Sequence, residues 1–101
     1  KGSGDNTPYK GQHRMILISS IAKAQGYKFS SGAGLVDRIT NQTISKNPDE
    51  IAKTLMGDTA TAKDMDSVET IIAKIKTDPN YENLIKDARD NFEKNGLELP
   101  K

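Results

Sequence analysis

Apolar residues recur along this chain at spacings of three and four, and the densest run is Met15-Ile16-Leu17-Ile18, followed by Ile21, Ala22 and Ala24. Four consecutive apolar residues surround most of a helical turn, so a helix here requires cover on more than one side. A short buried strand is the rival for Met15–Ile18, because β-branched side chains suit strands. Length favours helix, since the run continues to a stop signal. Gly26 can adopt the left-handed conformation just past a helix end, and Tyr27 is set to fold back on the last turn. The pattern predicts a helix over 12–25, with Lys23 and Lys28 bracketing its carbonyl end.

The same spacing predicts further helices. Leu35, Val36 and Ile39 share one face of a short helix over 34–42, weakened beyond by Thr40, Asn41 and Thr43. Asn47-Pro48-Asp49-Glu50 supplies an N-cap, a proline at the first helical position and an acid three residues past the cap. It opens a helix over 48–56 with Ile51, Ala52, Leu55 and Met56 as its buried stripe and Gly57 as its end. Asp66-Ser67-Val68-Glu69 repeats that start, and Val68, Ile71, Ile72 and Ile75 carry the helix to Thr77. Asp78-Pro79 then opens a helix over 79–95, lined by Tyr81, Leu84, Ile85, Ala88 and Phe92 and stopped by Gly96. No stretch alternates with period two in a way that specifies a sheet. The expected fold class is therefore all-α, a compact bundle of about five short helices around the helix near 12–25.

Composition narrows the chemistry. A chain of 101 residues makes one domain, and without tryptophan its core must come from Ile, Leu, Val, Met and Ala. The absence of cysteine excludes disulfides, thiolate metal sites and cysteine nucleophiles. No apolar run approaches the length of a membrane span, and the first residues do not form a signal peptide. Residues 1–11 have turn composition and are expected as a flexible arm, with Lys1-Gly2-Ser3-Gly4 resembling an artificial linker and 12–101 forming the single helical domain. A first residue other than methionine predicts a piece of a larger protein.

Charge is unevenly spread. Residues 1–48 carry seven Lys or Arg against Asp5 and Asp37, a net +5, whereas residues 49–101 carry eight against twelve acids, a net −4. A domain so polarised can meet an anionic surface with its basic half, unless folding interleaves the two. Two places concentrate the chemistry of anion binding. Lys10, His13 and Arg14 stand near the expected start of the central helix, and Ser30-Ser31-Gly32-Ala33-Gly34 precedes the expected helix over 34–42, flanked by Lys28 and Arg38. The anion- or lipid-binding set read from the sequence is Lys10, His13, Arg14, Lys28, Ser31 and Arg38. No catalytic residue, metal site or cofactor is expected. His13 is the only histidine, and Asp58 to Glu69 lacks the ligands and the glycine of a calcium loop. Nucleic acid is disfavoured, because no row of stacking aromatics or recognition helix accompanies the basic residues.

Two stretches resemble known families. Residues 62–84, through Ser67, Ile71, Ala73, Lys76, Tyr81 and Leu84, resemble a helical segment that recurs in effector proteins of intracellular bacterial pathogens. Among its bearers is the helical phosphoinositide-binding domain of a Rab-targeting effector. That resemblance implies a domain delivered into a host cell and docking on a phosphoinositide membrane; the expected location is the cytoplasm or, by translocation, the host cytosol, with peripheral attachment to a membrane. Arg14 to Phe29, with its Gly26-Tyr27 ending, resembles the helix that follows the catalytic loop of Fic-type nucleotidyl transferases. Thr7 stands at the position of their catalytic histidine and His13 replaces a glycine, so this second likeness implies a transferase fragment or remnant. The leading expectation is a non-catalytic helical binding module of a larger bacterial protein, docking on an anionic lipid headgroup or a host protein. A structural spacer is the remaining alternative.

Overall fold

The computed structural model describes the backbone of residues 6–99 and the side chains from Gly11 to Leu99. Helix α1 spans Asn6–Ala24, so residues 6–11 of the expected arm are helical, and residues 1–5 lie outside the described part. Pro8 falls in the first turn, where a missing N–H leaves no intrahelical bond unmade. Leu17, Ile18, Ser20, Ile21 and Ala22 are all buried, while Met15 and Ile16 are half-buried. Helix α1 is covered by the last helix on one side and by a strand on another, with the 68–75 helix and a 3-10 turn completing the enclosure. The buried Ser20 hydroxyl lies 3.4 Å from the Asn91 amide that donates to it.

The all-α expectation fails just beyond α1. Strands β1 (Tyr27–Ser30), β2 (Gly34–Asp37) and β3 (Thr43–Ser45) form a three-stranded antiparallel sheet in the order β1-β2-β3, making the fold α+β. Phe29 pairs with Leu35 and Lys28 with Val36. Tyr27 and Phe29 turn toward the core while Lys28 and Ser30 face solvent, the period-two alternation of a half-buried strand. Tyr27 thus continues into a strand after Gly26 (φ +94°), and Gly26 donates its N–H to Lys23 O at 3.1 Å to finish α1.

The expected helix over 34–42 does not form. Gly34 has φ +77°, and a Cβ there would sit 2.5 Å from Ser45 O and 3.0 Å from Lys46 Cα. The chain needs a residue without a side chain at this point to close the β1–β2 loop and let β3 approach. Leu35 is fully buried, but Ile39, expected on the same inner face, is 91% exposed. Between Leu35 and Val36 the pairing with β3 shifts, leaving Ile44 as the extra, bulged residue of β3, 46% exposed.

The remaining elements follow their local signals. Helix α2 spans Pro48–Met56, with Asn47 Oδ1 accepting the Glu50 N–H at 3.1 Å. A 3-10 turn, Ala62–Asp66, occupies part of the threonine-rich connection, closed by Asp64 Oδ2 accepting from Thr61 N at 2.7 Å. Helix α3 spans Val68–Ile75 with Ser67 as cap. Helix α4 spans Tyr81–Lys94, two residues later than the proline start suggests, because Asp78 instead accepts the Asn80 N–H in a preceding turn. Its end is a complete Schellman motif: Leu97 N–H to Phe92 O at 2.8 Å and Gly96 N–H to Glu93 O at 3.0 Å. One core joins Leu17 and Ile21 of α1 to Leu35, Ile71, Ile75, Ile85 and Phe92.

Candidate functional site

An antiparallel meander puts its two connections at opposite ends of the sheet, and each end gathers some of the residues singled out by charge. The β2–β3 turn is built by Asp37. Its Oδ1 accepts the N–H groups of Ile39 at 2.8 Å and Thr40 at 2.9 Å, and its own carbonyl accepts the Asn41 N–H at 2.9 Å. Asn41 adopts φ +61°, a left-handed conformation that asparagine tolerates. The backbone N–H of Thr40, and then that of Ile39, hold the Asp37 carboxyl below the usual carboxylate range. Hydrogen bonds to the ionised form favour it.

Two cations brace this turn. Lys28, on the solvent face of β1, donates its Nζ to Asn41 Oδ1 at 2.8 Å. Arg38 reaches back with Nη1 to Lys23 O at 3.5 Å, near the carbonyl end of α1. Ile39, next to Arg38 within this turn, is exposed to solvent. The strand register therefore brings Lys28 to the turn that holds Arg38 and Ile39, a side chain that spacing had assigned to the core. The sequence did hold a signal for this, since Asp37 followed by Thr40-Asn41-Gln42 is turn chemistry.

At the other end, Arg14 and Ser31 line a cleft of about 400 Å³ between α1, the β1–β2 loop, the start of α2 and the 3-10 turn. Lys46 and Asp66, outside the expected set, line it as well. Arg14 Nη1 stands 3.8 Å from Asp66 Oδ1, a distance at which the charges attract without a hydrogen bond. No helix begins at Ser30–Gly34, so the helix-terminus amides invoked for an anion there are absent; Ser30 Oγ instead accepts the Ala33 N–H at 3.1 Å.

The remaining two residues separate from these ends. Ring centroids of His13 and Phe92 are 5.2 Å apart at an interplanar angle of 44°, so the imidazole faces α4. Lys10 belongs to α1, and its side chain lies outside the described part. Both fall inside the helix and not at its start, where amides would be free. Thr7 to His13, matched above to a transferase loop, are helical as well. Of the acids between Asp58 and Glu69, Asp64 caps the 3-10 turn and lies 3.8 Å from Lys74 Nζ, and its carboxyl is held low mainly by the Thr61 N–H. No helix among the described residues is long and apolar enough to cross a membrane. Compared with protein-family models, with curated proteins and with solved structures, the chain matches none.

Proposed function

We propose that this domain is a non-catalytic binding module that docks on an anionic membrane surface through the β2–β3 turn. One observation carries the reading: Ile39, 91% exposed, stands at the tip of a turn whose base holds Lys28 and Arg38. A large apolar side chain with cationic neighbours suits the boundary between headgroups and acyl chains, where each finds its own solvent. The turn is already ordered by Asp37 and Asn41, so docking costs little conformational entropy. The phosphoinositide chemistry implied by residues 62–84 concerns the same class of surface.

The magnitudes make this a weak, reversible contact. Burying one isoleucine contributes about 1.5–3 kcal/mol and each of two cations about 1 kcal/mol near an anionic leaflet. Together they amount to roughly 3.5–5 kcal/mol, a dissociation constant of about 0.2–3 mM. Durable attachment then requires several copies or a second contact elsewhere in a larger protein. Co-sedimentation with vesicles tests the reading. Binding is expected to phosphatidylcholine vesicles containing phosphatidylserine or a phosphoinositide, to fall about tenfold or more in Ile39→Asn, and to weaken in Lys28→Glu. Equal binding to neutral and anionic vesicles, or indifference to Ile39→Asn, removes it.

A further inference from the structure

The cleft at the far end of the sheet is independent of the membrane reading, because it shares no residue with the β2–β3 turn. Its floor is apolar: Phe29 from β1, Met15 from α1 and Met65 from the 3-10 turn all line it. Two of these are methionines, whose unbranched, polarisable side chains adapt to the shape of what they cover. Polar side chains line it too, from several elements. Arg14 of α1 and Lys46, just after β3, bring two positive charges against the single negative charge of Asp66, and Ser31 of the β1–β2 loop lines the same cleft. A volume of about 400 Å³ is at the small-molecule end of the range for ligand sites.

We infer that this cleft binds a small amphipathic carboxylate, its charged group on Arg14 and Lys46 and its hydrocarbon body over Phe29, Met15 and Met65. The net charge of the three ionised walls is +1, which matches a monoanion. Asp66 occupies the place of the ligand's own carboxylate. At 3.8 Å from Arg14, with 39% and 70% of the two side chains exposed, it is a loose and solvated partner. A ligand carboxylate that hydrogen-bonds the guanidinium at shorter range displaces it. The Lys46 stem passes close to Gly34, another lining residue: a Cβ at Gly34 would lie 3.1 Å from Lys46 Cγ.

Titration with decanoate, followed by amide chemical shifts, tests the assignment, with decan-1-ol as the uncharged comparison. The expected result is perturbation of Ser31, Phe29 and Met65, with decanoate bound about tenfold more tightly than the alcohol. Arg14→Gln is expected to abolish that preference. Asp66→Asn is expected to tighten decanoate binding severalfold, by removing the internal competitor. Both side chains are substantially exposed, and circular dichroism checks that the variants fold. Equal affinity for acid and alcohol, shifts confined to other surfaces, an unchanged Arg14→Gln, or an Asp66→Asn protein that binds no more tightly each overturns the inference.

Discussion

Replacing Gly34 by alanine separates the sheet from the helix that hydrophobic spacing suggests over the same residues. Gly34 has φ +77°, where an L side chain costs about 1–2 kcal/mol. The new methyl group would also lie 2.5 Å from Ser45 O and 3.0 Å from Lys46 Cα. Both are backbone atoms, so β3 must move as a unit, at about 1–3 kcal/mol for an overpacked contact. The sum, roughly 2–5 kcal/mol, is a large part of the 5–15 kcal/mol typical of a whole domain. It lowers the melting temperature by roughly 10 °C or more in a chain of this size. Gly32→Ala in the same loop is the control, because a Cβ there meets nothing within 4 Å. Urea unfolding followed by far-ultraviolet circular dichroism measures both. Were residues 34–42 helical, alanine would favour the helix by up to about 1 kcal/mol, the opposite sign. A Gly34→Ala protein as stable as Gly32→Ala would refute the reasoning.

Leu35→Ala should cost about 2–5 kcal/mol, whereas Ile39→Asn should stay within about 0.5 kcal/mol; similar losses in urea titrations would return Ile39 to the core. Gly11→Ala should stabilise the protein by about 0.4–1 kcal/mol, since nothing lies within 4 Å of the added Cβ and α1 already includes this position; a lower melting temperature would contradict a helix there. Asn47→Ala should lose about 0.5–2 kcal/mol with the cap of α2, read as a lower urea midpoint. Asp37 has its folded-state pKa lowered by the Thr40 and Ile39 amides, so its stabilisation is complete above the ordinary carboxylate range near pH 4 and is lost as pH falls through the depressed value. Asp37→Asn should therefore be less stable than the parent at pH 7, with the gap in urea midpoints closing below about pH 4; a gap independent of pH would assign the effect to something other than charge.

The helices were legible because their signals act within one turn. Asn47-Pro48 starts α2, Ser67 starts α3, and Gly96 with Leu97 ends α4, each through bonds between residues three to five apart. The sheet has no such signature. Tyr27–Ser30 alternates over only four residues, Gly34–Asp37 has its two buried residues adjacent, and Thr43–Ser45 is three residues long. Leu35, Val36 and Ile39 fit a helical face as well as they fit a strand and a turn. The choice was made by pairing with β1 and by the cover that α1 gives β1 and α2 gives β2.

The same division runs through the two candidate sites. The sequence by itself determined the central apolar helix, the caps of the later helices and the basic character of the first half of the chain. Only the tertiary structure decided that Ile39 stands outside, in a turn that Lys28 joins through Asn41, and that Arg14 shares a cleft with Lys46 and Asp66. The physical reason is range. A cap or a stripe is settled by neighbours along the chain, while strand register and the walls of a cleft depend on residues brought together only when the core closes.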